Sequence, residues 1–92
     1  MIIEFDPDKS ARNAKERGLP FDLAGEFDWE AAVYREDNRH FYPEVRIVAL
    51  GYLGERVHVL CFTPVPGGVR IISFRKANKR ETQEYEREHA NR

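Results

Sequence analysis

The chain has 92 residues, of which 34% are charged and 12% aromatic, and its formal net charge is -1. These values fit one folded, soluble domain over residues 1–92 with a single modest core and exclude a disordered chain, and no apolar run is long enough to span a bilayer. The single cysteine, Cys61 within Val57–Phe62, excludes an internal disulfide framework and a cysteine-based zinc cluster, and it reads as a small buried hydrophobe.

Ile2-Ile3-Glu4-Phe5 is expected to form a short strand ended by Asp6-Pro7. Asp6 suits an N-cap, Pro7 the first helical position and Gly18 a left-handed C-cap, which predicts a helix from Pro7 to about Arg17. Only Ala11 and Ala14 are apolar in it, so it belongs on the surface. Its spacing lines up Lys9, Asn13, Glu16 and Arg17 on one face. Pro20 to Phe27 reads as a short second helix, with Phe21, Leu23, Ala24 and Phe27 supplying core and Trp29 following. Ala31 to Tyr34 begins a strand or bulged edge segment that leads into the charged loop Arg35–His40.

Three strands then come in close succession, Val45 to Leu53, Val57 to Thr63 and Val69 to Arg75. Gly54-Glu55 and Pro64–Gly68 connect them, and turns this short demand an antiparallel meander. Alternation places Arg46, Val48, Leu50 and Tyr52 opposite Val45, Ile47 and Ala49, and His58, Leu60 and Phe62 opposite Val57, Val59 and Cys61. Both faces are apolar in the middle, so helices should cover one face and part of the other. Strict alternation sends Arg70 and Arg75 to opposite faces unless a bulge or the strand end re-aims one of them. A polar helix over Asn78–Asn91 closes the chain. Tyr85 and Ala90 are nearly its only apolar anchors, so it is expected to be marginal alone and better ordered under a partner. The fold class is α+β, a small antiparallel β-sheet flanked by N-terminal helices and a C-terminal helix.

Charge is unevenly spread. Residues 1–44 hold eleven acidic against six basic residues, and residues 45–92 hold nine basic against five acidic. From Arg70 to Arg80 five residues are basic (Arg70, Arg75, Lys76, Lys79, Arg80) and none is acidic. A strand that delivers fixed cations into a loop and a helix start is a place to hold a phosphate, and hence nucleic acid. The plain alternative is a solvated strand–helix corner. Asp6, Asp8, Glu36 and Asp37 form no ligand set at a defensible spacing, and Gly67-Gly68 lacks the lysine and helix of a phosphate-binding loop, so no metal and no cofactor are expected. With no basic-then-apolar leader at its start, the chain is expected in the cytoplasm.

Three blocks of residues carry a resemblance over roughly residues 5 to 86. They are Phe5-Asp6, Lys9, Asn13, Gly18 and Phe21; then Asp37, Arg39, Tyr42, Glu44 and Arg46; then Arg70-Ile71-Ile72-Ser73, Arg75, Ala77, Arg80-Glu81 and Tyr85. In them the chain resembles the BrnT-type toxins of bacterial type II toxin–antitoxin systems. The resemblance implies a RelE/ParE-like fold and a ribonuclease that stops translation. It also implies a BrnA-type antitoxin partner that neutralises the toxin, and a complex that represses its own operon, so that operator DNA is met only through the antitoxin. Glu16-Arg17 stand where the family usually has Lys-His, and Pro43 where it often has Gly. Arginine stays protonated and cannot shuttle a proton.

Metal-free RNA cleavage needs a base for the ribose 2′-hydroxyl, cations for the phosphorane and an acid for the leaving 5′-oxygen. Arg75, Arg70, Lys76 and Arg46 are the catalytic candidates, and Lys9, Asn13, Arg17 and Arg80 the RNA-binding ones. Proton transfer has no obvious owner. His40, in the charged loop beside Arg39 and Tyr42, is the better-placed histidine, and Glu44, Lys76 and Tyr85 are further candidates. His58, flanked by valines, reads as a satisfied strand residue and His89 as tail. The rival function is a protein-binding module without chemistry, which acts by docking or serves only as a subunit of a repressor.

Overall fold

Asp6 and Gly18 bound the first helix as their chemistry requires. The Asp6 carboxylate accepts from the backbone N–H of Asp8 at 2.9 Å, Pro7 opens the helix, and Gly18 closes it at φ 69°. The computed structural model describes residues 1–90. Its elements are β1 (Ile2–Glu4), α1 (Pro7–Arg17), a short 3-10 helix (Phe21–Glu26), β2 (Val33–Glu36), β3 (Ile47–Leu53), β4 (Arg56–Val65), β5 (Gly68–Lys76) and α2 (Lys79–Ala90). Asn91, assigned from the sequence to the final helix, lies outside the described residues.

The strands form one sheet in the order β1-β5-β4-β3-β2. β2 to β5 are the expected antiparallel meander. β1 corrects the all-antiparallel expectation, because it joins β5 in parallel and makes the sheet mixed. Gly68 permits that pairing, since a Cβ there would lie 1.8 Å from the carbonyl oxygen of Ile2. The second hairpin is also tighter than expected. β4 runs on to Val65, which pairs with Gly68 across a two-residue turn, so Pro64 lies within a strand. Its missing N–H would point away from β5, toward a position β3 does not reach, and no ladder bond is lost.

β1 pairs with β5 only as far as Arg70. Beyond it α1 lies along the β5 edge. The Asn13 amide donates to the carbonyls of Leu19 at 2.7 Å and Phe74 at 2.9 Å, and Ser10 Oγ accepts from the N–H of Phe21 at 2.8 Å. Two polar side chains thus dock a helix with almost no apolar face.

A bulge settles the arginine question. Phe62 pairs with Ile71 but Cys61 with Ser73, which leaves Ile72 as the extra residue. Its parity shift puts Arg70, Ser73 and Arg75 on one face, opposite Thr63, Cys61 and Val59 in turn, and leaves Val69, Ile71 and Phe74 on the other. The Phe74 face carries the larger core, with Leu60, Ile71 and Phe74 under Phe21, Ala24 and Phe27. The Arg75 face carries a smaller one, Leu50, Val57 and Val59 under Ala77 and Tyr85.

α2 is held more firmly than its composition suggests. Tyr85 is buried with its ring 5.4 Å from that of Tyr52, the His89 ring stacks on Tyr85 at 4.2 Å, and His89 Nε2 donates to the carbonyl of Ala31 at 2.7 Å. Long-range polar tethers thus add to the few apolar anchors that the sequence offers for this helix. Among the described residues, no helix is long and apolar enough to cross a membrane.

Candidate active site

α2 covers one end of the second sheet face, and residues 37–46 bend back along the other. Between them opens a cleft of about 570 Å³ with Val48, Val59, Cys61 and Ser73 as its floor. One wall is Arg35, Glu36, Asp37, Asn38 and Arg39, from the end of β2 and the loop after it. The other is Arg75 with Asn78, Arg80 and Glu81, from the end of β5 and the start of α2.

Most of these cations already have partners. Arg75 grips Glu81 with both Nη atoms, at 2.9 and 2.8 Å, and Glu81 Oε1 also accepts from the N–H of Asn78 at 2.9 Å. Asn78 Oδ1 accepts in return from the N–H of Glu81 at 2.8 Å, so the two residues form a reciprocal cap at the helix start. The Arg75 hydrogen bonds hold the Glu81 carboxyl down to about 2; burial opposes them and the Asn78 N–H adds to them. Across the cleft Asp37, its side chain 2% exposed, accepts from Arg39 Nε and Nη2, both at 2.9 Å, and from the Tyr42 hydroxyl at 3.3 Å. Those bonds keep Asp37 well below the usual carboxylate range. Arg35 Nη1 donates to both carboxylate oxygens of Glu84, at 3.0 and 2.7 Å. Arg80 has no ion pair among the described residues. In the floor, burial and then the Asp37 charge push the Cys61 thiol up, so it is a poor nucleophile.

The four residues expected to form a catalytic cluster do not converge. Arg75 lines the cleft. Lys76 alternates to the opposite face, across from His58. Arg70 sits roughly 15 Å further down β5 by strand rise and pairs with Glu4 at 3.6 Å. Arg46 stacks on the Tyr42 ring at 4.1 Å and meets Glu44 at 3.4 Å. The expected patch of unpaired cations is therefore corrected at Arg70 and Arg75, both of which hold carboxylates.

The α1 residues approach from the side. Lys9, Arg12, Arg17 and Glu16 border a shallow hollow with Ile72 and Ser73, and Arg17 borders a second one with Arg75 and Lys76. A cationic rim thus runs from α1 over the β5 edge to the cleft. Asn13 is not free on that rim. It is buried, its amide nitrogen serves two carbonyls and its oxygen accepts from Arg17 Nη1 at 3.2 Å.

None of the histidines lines the cleft. His58 is buried and its Nδ1–H donates to the carbonyl of Arg56 at 2.8 Å, while burial pushes its pKa down, so the ring is neutral. His89 is a helix tether rather than tail. His40 is exposed, edge-on to Tyr42 at 5.8 Å. Glu44 is engaged by Arg46, and Tyr85 is buried beneath α2. The chemical reading of the sequence passed over Arg35, Ser73 and Glu81. The Asn78-x-x-Glu81 spacing of a capping box was the available signal for Glu81.

A mixed sheet with an arginine-walled cleft on one face and a cationic rim leading into it defines a small α+β protein suited to an extended polyanion. Residues 5–81 match the family described as the ribonuclease toxin, BrnT, of type II toxin–antitoxin systems, and the chain belongs to that family. The match ends at Glu81, so two of the three blocks and most of the third lie inside it. Among curated proteins no match was found.

Proposed function

We propose that this protein is a metal-independent endoribonuclease toxin that arrests translation by cleaving RNA in the cleft above Ser73, and that a BrnA-type antitoxin neutralises it. The observation that carries this reading is the cleft itself, where Arg35, Arg39, Arg75 and Arg80 surround an uncharged floor, three of them held in place by carboxylates and Arg80 without an ion pair among the described residues. Guanidinium groups fixed around an uncharged floor can stabilise the extra negative charge of a phosphorane, and their forks match phosphate oxygens. Lys9, Arg12 and Arg17 on the rim would track the backbone on one side of the scissile phosphate, while Arg70 and Arg46 serve the sheet's margins rather than the reaction. Membership of a ribonuclease toxin family supports the same chemistry. The test is incubation of the purified chain with structured RNA in EDTA, with and without ribosomes. Fragments ending in 2′,3′-cyclic phosphate are expected; intact RNA in both arms overturns the reading.

One observation favours the docking alternative. Phe41 is fully exposed at the tip of the loop that walls the cleft, held out by the Asp37–Arg39–Tyr42 network. An aromatic presented in this way suits a protein contact. Growth arrest that persists without RNA cleavage but vanishes in Phe41→Ala would establish that alternative.

A further inference from the structure

The cleavage reaction described above lacks a base, and every histidine lies outside the cleft. Resting on that ribonuclease reading, we propose that Glu81 is the general base, parked on the Arg75 fork in the free protein and released to the ribose 2′-hydroxyl when a substrate phosphate takes the fork.

The geometry supports this in three ways. The carboxylate of Glu81 occupies both Nη atoms of Arg75, in the same two-point arrangement that a phosphate would adopt. A phosphate bound there necessarily competes with Glu81 and lies beside it. Glu81 is also held by something other than Arg75. Its Oε1 accepts from the N–H of Asn78, and its own N–H is fixed by Asn78 Oδ1, so losing the fork does not cast the side chain into solvent. Finally, of the three carboxylate residues that line the cleft, Glu81 alone sits on the Arg75 fork. Asp37 is buried under four hydrogen bonds from Arg39 and Tyr42, and Glu36 borders the cleft from a strand position whose alternation, by its pairing with Ile47, belongs to the opposite sheet face.

In the free state Glu81 is too acidic to accept a proton well near neutral pH. Substrate binding changes its surroundings in two ways. Arg75 from β5 turns to the phosphate, which adds negative charge nearby. Arg35 from β2 stays with Glu84 of α2, Arg39 stays with Asp37 across the cleft, and Arg80 on α2 meets the second phosphate oxygen or the next phosphate. Both changes raise the basicity of Glu81 toward that of an ordinary carboxylate. Substrate thereby switches on its own base, and the free toxin keeps it idle.

Glu81 takes the proton of the 2′-hydroxyl, the 2′-oxygen forms a bond to phosphorus, and the bond from phosphorus to the 5′-oxygen breaks. The leaving 5′-oxygen takes a proton from water, and Glu81 returns its proton to solvent. The products are a 2′,3′-cyclic phosphate and a 5′-hydroxyl end.

Two measurements test the proposal. In the first, the Glu81 side-chain carboxyl is titrated by carbon NMR in the free chain and in complex with a fully 2′-O-methylated oligoribonucleotide, which binds but cannot be cleaved. Its midpoint is expected near 2 in the free chain and above 4 in the complex, and a midpoint that stays near 2 overturns the proposal. In the second, Glu81→Gln keeps the shape and the cap. Its kcat should fall about 100-fold or more while KM is unchanged or lower, because a competitor for Arg75 has gone. The acid limb of the wild-type pH–rate profile should vanish with it. Wild-type kcat in a folded Glu81→Gln chain overturns the base assignment but leaves the ribonuclease reading standing. A wild-type chain that binds the oligonucleotide yet cleaves no RNA overturns the ribonuclease reading itself.

Discussion

A carboxyl that titrates near 2 in the folded chain and near 4.5 when free gives stability a definite dependence on pH. Since the folded value of Glu81 is the lower, its pair with Arg75 contributes fully above about pH 4.5, fades as pH falls and is gone below about 2. Both partners are partly solvated, with side chains 42% and 13% exposed, so the contribution should be about 1 kcal/mol or less. Glu81→Gln is therefore expected to be slightly less stable than wild type in urea unfolding at pH 7 and equal to it near pH 2. A gap that persists at pH 2 would mean that the cap, rather than the charge, carries the effect. Arg75→Ala removes the same tether while it removes the phosphate fork. It should abolish RNA cleavage at a cost of only about 1 kcal/mol in stability, which thermal melts and an RNA-cleavage assay can separate.

At the level of elements, the two helices are fastened by polar residues, and this makes them vulnerable in specific places. Asn13→Ala would leave the carbonyls of Leu19 and Phe74 without their donor in a buried site, a loss of about 1–3 kcal/mol. Lys9→Ala, four residues earlier on the same helix, should leave urea stability unchanged. The pair tells a structural role from an RNA-binding one on a single helix face. For α2, the buried Tyr85, the His89–Ala31 hydrogen bond and the Arg35–Glu84 pair predict slow amide exchange in the middle of the helix even without an antitoxin. Fast exchange through Glu84–Glu88 in the free chain would show instead that the helix waits for its partner.

The whole molecule carries a net charge of -1, so any grip on RNA must come from charge concentrated on one side. The rim from Lys9 and Arg12 through Arg17 to Arg75 and Lys76 supplies that concentration. Binding to single-stranded RNA should weaken steeply with salt, and each rim cation removed should lower the slope of log K against log salt by about 0.7. The double variant Lys9→Ala/Arg12→Ala is expected to bind more weakly and less salt-dependently while its kcat stays near wild type. An unchanged slope would place the RNA path elsewhere.

Local chemistry determined much of this protein from sequence alone. Asp6, Pro7 and Gly18 bound α1, the short connections around Gly54-Glu55 and Gly67 impose a meander, and alternation sorts Leu60 from Val59; each of these acts within a few residues. The three blocks of family residues were equally legible, because they are matters of residue type and order. What the sequence could not decide depends on distant partners. The parallel docking of β1 needs Gly68 to meet Ile2 across most of the chain. The bulge at Ile72 depends on how β4 and β5 settle their register, and it alone brings Arg70 and Arg75 to one face. Lys76 and Arg46 looked like members of one cation cluster because they are near Arg75 in sequence or in the meander. Strand alternation and the Tyr42 ring took them elsewhere. The cleft exists only once α2 folds back over the sheet, and tertiary structure alone set the Glu81 carboxylate on the Arg75 fork.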